Sequence, residues 1–272
     1  MTAAETQGNC HAVLADCRRG AQRGWGGKTF YLNGRLLVAA QRKAVAGWYH
    51  VENYEGFLGA SPIHFSIQTY DSLGSAPKVD GSYFYDAKQI PIALYGTVSG
   101  TRFVLCEFSN DKEFYQSPPI NAARCPFSLD LNGNAVTGSW SKGTDRYAVT
   151  LKKIASLDDT GEAKIDGTVE IPFWAQTATD RFSGSYTNTS AGLCMEKVQV
   201  IKKSSRKVVQ EITFADDDVC SAGMLMTTIY MNVQKWVEQG KDIISVNFQG
   251  GGAGTAVDYV FNSRTRKYQQ RK

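Results

Sequence analysis

The chain reads as a mainly β protein: antiparallel meander sheets, sandwich or barrel-like, with one or two short helices. Three observations carry that reading. Apolar residues alternate at period two through most of the sequence, Gly- and Asn-containing turns punctuate the alternation, and cysteines sit at the ends of hairpin-like segments. At 272 residues, with 42% hydrophobic and 21% charged residues, the chain has an ordinary globular composition and is long enough for a sizeable core.

In chain order, "CHAVLADC" predicts a short helix beginning at Cys10. "TFYLNGRLLVA" follows, with Asn33-Gly34 between apolar runs, the dipeptide that favours a two-residue hairpin loop. "GWYHVENYEG" and "IHFSIQTY" are the next strands; Ile63, Phe65 and Ile67 share one face of the latter, His64, Ser66 and Gln68 the other. In "GSYFYD" the alternation puts Tyr83 and Tyr85 on one side and Phe84 on the other, leaving open whether the tyrosine pair is exposed. Ile90, Ile92 and Leu94, then Phe103 and Leu105, then Phe127, Leu129 and Leu131, continue the pattern. After the "NGN" turn it resumes from Val136 toward Trp140 and through Tyr147, Val149 and Leu151.

"SLDDTGEAK" is polar and turn-rich, a linker or long loop that divides the chain into β-rich domains over 1–155 and 165–272, with a single domain as the alternative. In the second part "MLMTTIYMNVQKWVEQG" carries Met226, Ile229, Tyr230, Val233, Trp236 and Val237 at helical spacing, and Gly240 reads as the helix stop. The β-branched residues Thr227, Thr228 and Ile229 oppose it. "DIISVNF" and "AVDYVF" form a last hairpin across "QGGGAG"; no Lys-Ser/Thr pair follows these glycines, so a phosphate-binding loop is not expected.

The cysteines Cys10, Cys17, Cys106, Cys125, Cys194 and Cys220 fall in local pairs, and sequence does not choose the connectivity. A bridge between the members of each pair would close the mouth of a hairpin, which points to an oxidising, periplasmic or secreted setting. The start "MTAAETQGNC" lacks a basic and apolar leader, so any signal peptide is expected to have been removed. No stretch reaches the roughly 20 apolar residues of a membrane helix.

The site chemistry is sparse. Only three histidines are present, no metal-ligand spacing stands out, and no cofactor or metal is expected. The basic groups Lys202, Lys203, Arg206 and Lys207, and those from Arg264 onward, read as a solvated hairpin tip and a frayed terminus, not a nucleic-acid surface. The interval between Cys106 and Cys125 is the strongest binding candidate. It carries Phe108, Asp111, Glu113, Phe114 and Tyr115, and Pro118-Pro119 stiffens it. Aromatics on a closed, stiff loop supply contact area at low ordering cost, as a protein partner requires.

Two family resemblances follow. "GSYFYD" with "IPIALYGTVSG", and "LNGNAVTGSW", resemble segments of small bacterial envelope β-proteins of the lysozyme-inhibitor and toxin-immunity type, over 56–153. The resemblance is one of pattern and transfers no site residues; it implies a periplasmic protein that binds and blocks a secreted cell-wall- or membrane-targeting enzyme through a loop such as 108–119. The order of Cys10 at a helix start and His64 on a later strand resembles papain-like peptidoglycan endopeptidases, with Cys10 as nucleophile and His64 as base. A Cys10–Cys17 bridge would remove that nucleophile. A glycan-binding envelope module, stacking sugars on exposed Tyr or Trp faces, is the remaining alternative.

Overall fold

The computed structural model describes residues 31–32, 35–36, 49–70, 78–108, 124–158, 163–189, 192–214, 228–250 and 253–271. Residues 1–45 and 46–272 form separate compact units. In the first, β1 (Tyr31–Leu32) and β2 (Arg35–Leu36) pair with Leu32 opposite Arg35, the register of a two-residue hairpin loop.

The second unit begins with an eight-strand meander: β3 (Tyr49–Leu58), β4 (Ser61–Tyr70), β5 (Lys78–Tyr85), β6 (Ile92–Ser99), β7 (Arg102–Phe108), β8 (Phe127–Asn132), β9 (Ala135–Lys142) and β10 (Asp145–Asp158). Each strand pairs antiparallel with the next, and β10 closes the barrel by pairing with both β9 and β3. Val149 thus lies opposite Gly138 on one side and Leu58 on the other. Closure forces the strands to coil tightly, and glycines mark the points of closest approach. A methyl group on Gly96 would run into the Val104 carbonyl, and one on Gly138 into the Ser128 carbonyl.

The barrel is filled by its own side chains. Phe65, Tyr83 and Phe127 meet at ring separations of 5.2 to 5.6 Å, among Tyr54, Leu94, Leu105 and Leu129. Tyr83 is 1% exposed, so the tyrosine pair of "GSYFYD" is not an exposed platform.

At one end of the barrel Glu52 accepts from the Tyr54 hydroxyl at 2.5 Å and from Lys153 Nζ at 2.9 Å, with His50 Nε2 at 3.3 Å. Burial pushes the Glu52 carboxyl up, but the hydrogen bonds from His50, Tyr54 and Lys153 outweigh it and hold the group at about 2, below its ordinary 4.5. A carboxyl depressed in the folded state stabilises the fold above its unfolded value and loses that contribution as pH falls through the folded one. Stability is therefore expected to drop between pH 4.5 and about 2, by about 3 kcal/mol from this group. Urea unfolding at pH 7 and pH 3 checks this: Glu52→Gln should lower stability at pH 7 and flatten the acid dependence. Equal acid losses in both proteins would refute it.

Beyond Lys153 a bulge in β10 turns Ala155 and Leu157 toward a second core. Ser156–Asp158 pair with β11 (Lys164–Asp166), so strand occupies part of the stretch expected as linker. Two four-stranded sheets then share the second core: β12 (Ile171–Gln176), β13 (Asp180–Thr189), β14 (Gly192–Lys202) and β15 (Lys207–Thr213) in one; β16 (Val233–Glu238), β17 (Lys241–Gly250), β18 (Ala253–Asn262) and β19 (Lys267–Gln270) in the other. Phe173, Phe182 and Val200 of the first sheet meet Val233, Ile244 and Tyr268 of the second. The Gln210 side chain imitates a strand partner, donating to the Tyr268 carbonyl at 2.8 Å and accepting its N–H at 2.7 Å.

Two expectations are corrected here. Within the stretch 224–240 expected as helix, the described residues form a 3-10 turn, Ile229–Met231, followed by strand β16. Glu238 pairs with Lys241 across Gln239 and Gly240, both at positive φ (50° and 74°), so Gly240 is a hairpin residue and not a helix stop. The terminus expected to fray is β19, paired with β18 from Tyr259–Gln270 to Asn262–Lys267.

The outer faces of β3, β4 and β5 are covered by the two-sheet body. Asn53, Ser66, Gln68, Ser82 and Phe84 are all buried there. Apart from Ser82 Oγ, which has no hydrogen-bond partner among the described residues, their polar groups are matched. Asn53 exchanges two hydrogen bonds with the Glu170 backbone at 2.8 and 2.6 Å, Ser66 Oγ meets the Tyr230 hydroxyl at 2.7 Å, and Gln68 accepts the Ile229 N–H at 2.7 Å. Trp174 reaches the Gly81 carbonyl at 2.8 Å, and Arg181 donates twice to Gln89, at 2.8 and 3.2 Å.

Candidate binding surface at the barrel end

Up-and-down topology places the connections after β3, β5, β7 and β9 at one end of the barrel, opposite Glu52. Inward alternation along β7 runs Phe103, Leu105, Glu107, and along β9 it runs Val136, Gly138, Trp140. A carboxylate and an indole thereby reach the barrel mouth together. Glu107 Oε1 accepts from the Tyr83 hydroxyl at 2.7 Å and from Trp140 Nε1 at 2.8 Å; Lys142 Nζ lies 3.3 Å from Oε2. Burial, then the Glu107 charge, pushes the Tyr83 phenol well above its usual range, so it stays a donor.

Around this anchor the aromatic surface opens to solvent. Tyr85 packs edge-on against Tyr83 at 5.8 Å, and burial raises its phenol as well. Tyr147, 45% exposed, lies 5.8 Å from Trp140 and crosses over Gly59, where a side chain would meet its ring. Phe57 and Ile90 add exposed apolar area at the same end. Glu107 is held by three donors and fixes the positions of the rings around it. The mouth offers pre-positioned rings beside the exposed Lys142 ammonium, an arrangement able to contact a partner surface.

The 109–123 interval leaves the barrel at this end, between the last residue of β7 and the approach to β8. Its base is closed by the Cys106–Cys125 disulfide. Asp111, Glu113, Phe114 and Tyr115 lie outside the described residues, as do Cys10, Cys17 and Cys220. Cys194 is disulfide-bonded, with a partner outside the described residues. Phe108, the first of the expected contact residues, is packed against the second body. It is buried, with its ring 4.7 Å from Trp174 and 5.7 Å from Tyr95, because position 108 falls on the outward face that the two-sheet body covers.

His64, the candidate base, sits on the outer barrel face in a cleft of about 260 Å³ bordered by Glu55, Phe84, Ile154 and Glu170. Its Nδ1 is 2.6 Å from Asp86 and its Nε2 3.0 Å from Glu55, and the ring stacks on Phe84 at 5.1 Å. The nitrogen that would activate a thiol therefore faces a carboxylate. Arg181 covers the other part of Phe84 at 4.6 Å and pairs with Glu170 at 2.5 Å. The cleft thus joins the barrel to the second body through charge pairs and stacked rings. Among the described residues no group of His, Cys, Asp and Glu is arranged to hold a metal, and no helix is long and apolar enough to cross a membrane.

Sequence reading singled out the interval between Cys106 and Cys125 but not the role of Glu107 at its start, nor Trp140, Lys142 and Tyr147 beside it. The available signal was Glu107 itself, a charged residue at an inward position beyond Phe103 and Leu105, where only a barrel mouth accommodates it. Comparison with protein-family models, curated proteins and solved structures finds no match.

Proposed function

We propose that this chain is a non-enzymatic binding protein of the bacterial envelope, periplasmic or secreted. Its role is that of an inhibitor or immunity protein that blocks a secreted cell-wall- or membrane-targeting enzyme. The observation that carries the reading is the barrel end: Tyr85, Trp140 and Tyr147 are held in place around Glu107, and a disulfide-bounded interval leaves beside them. Rigid aromatics lose little freedom on binding, and a closed loop base limits the ordering cost of the segment above it. The Cys106–Cys125 bridge also supports an oxidising compartment.

A glycan-binding module is the second reading, favoured by the exposed face of Tyr147 beside the half-buried Trp140. Soluble cell-wall fragments should then change the tryptophan fluorescence; an unchanged spectrum at saturating fragment counts against it. The cysteine endopeptidase reading is tested by thiol titration under native, non-reducing conditions. The binding-protein reading expects no reactive thiol and no turnover of muropeptides. A reactive Cys10 with turnover would replace it by the enzyme.

A further inference from the structure

At one end of the two-sheet body the turns β12–β13, β14–β15, β16–β17 and β18–β19 come together around a crevice of about 560 Å³. An adjoining recess of about 270 Å³ shares Asp180, Lys202, Phe261, Arg266 and Tyr268 with it. Lys202 and Arg266, from basic stretches far apart in the sequence, thereby line one crevice, with Lys241 from a third turn.

The crevice is lined by Lys202, Lys241 and Arg266 against Asp180 and Asp242, and both carboxylates already have a cation partner. Lys202 pairs with Asp180 at 3.2 Å, Lys235 with Asp242 at 3.4 Å and Arg271 with Glu238 at 2.5 Å. Of the lining cations, Lys241 and Arg266 have no carboxylate partner among the described residues, nor do Lys207, Arg264 and Lys267 next to them along the chain. Asp180, on the floor, is 3% exposed and already engaged; its Oδ2 accepts from Thr179 at 2.8 Å and from the Tyr268 hydroxyl at 3.1 Å. One wall is apolar, with Phe261 43% exposed beside Val260. The exposed Thr179 and Ser263 add hydroxyls along the rim.

We infer that this crevice binds an anionic glycan chain, a saccharide polymer with repeated acidic groups. Cations spread over three hairpin tips match anionic groups repeated along a chain better than a single small anion, which would reach only one or two of them. The open Phe261 ring and the rim hydroxyls suit sugar faces and hydroxyl groups. A single-stranded nucleic acid is a poorer match, since sequence-independent binding of that kind uses successive stacking aromatics and Phe261 is the exposed ring lining this crevice. The site is independent of the barrel end.

The test is a calorimetric titration of the intact protein with a size-fractionated heparin fragment as the acidic-glycan probe. Saturable binding is expected, weakening on the order of tenfold or more between about 50 and 200 mM salt as counterions compete. Lys241→Gln with Arg266→Asn should weaken it about tenfold or more. Asn is chosen because Arg266 lies at φ 55°, a left-handed backbone that Asn tolerates. Phe261→Ser should weaken it as well, at unchanged charge. Lys152→Gln with Lys164→Gln, exposed positions on β10 and β11, should leave it unaltered. Absence of binding at low salt, or equal loss in the control pair, overturns the inference. So does tighter binding of polyglutamate or of a single-stranded oligonucleotide than of the glycan probe.

Discussion

Trp174→Ala is expected to cost about 3 kcal/mol or more of folding stability, read as a lower urea midpoint. The reason is position. Trp174 bridges the outer face of the barrel and the second core: its ring meets Phe108 of the barrel at 4.7 Å and Tyr230 of the second body at 5.9 Å. Its indole N–H also donates to the Gly81 carbonyl at 2.8 Å, and truncation leaves that acceptor without this donor. A lost hydrogen bond to a buried acceptor adds about 1 kcal/mol or more to the cavity cost. Trp174→Phe keeps most of the ring and drops the donor, so it should fall between the two proteins. The alanine variant should also uncouple the unfolding of the halves, giving a broader or two-step transition. A loss below about 1 kcal/mol with one sharp transition would mean that Asn53, Gln68 and Arg181 hold the bodies together without it.

The barrel was legible in the sequence because closed meander strands show an inside and an outside, and alternation records which is which. Ile63, Phe65 and Ile67 point into the core as their spacing requires, and Phe84 parts from Tyr83. Alternation does not record what covers the outer face. Ser66 and Gln68 are polar, yet both are buried, because Tyr230 and Ile229 supply their hydrogen-bond partners from more than 150 residues away. Nor did it show that Phe108 would be covered by Trp174. The expected helix failed for a local reason. Ile229, Tyr230 and Val233 match a helical period, but they serve two different structures, a buried turn plugging the barrel contact and a hairpin strand. Thr228 and Ile229, with their branched Cβ atoms, already pulled that way.

The binding surface was half legible. The cysteine-bounded interval announced itself by composition, whereas the mouth beside it depends on β7 and β9 ending side by side through β8. The same register put the two basic turns of the second body at one end, a proximity that no local reading of 202–207 or 264–267 contains.

The second large effect concerns that mouth. Tyr85→Ala with Tyr147→Ala should weaken partner binding by about a hundredfold or more, since two aromatic anchors each contribute about 2 kcal/mol when buried in an interface. Thermal unfolding of the variant comes first, because Tyr85 packs on Tyr83 and must not take the barrel with it. The decisive measurement is then paired capture from the source organism's envelope with wild-type and variant protein, followed by titration of the captured enzyme and assay of its activity. The proposed function predicts that wild type binds one enzyme stoichiometrically and suppresses its activity, and that the folded variant does so only at far higher concentration. Equal affinity of the two proteins for that enzyme, or capture without any effect on its activity, would contradict it.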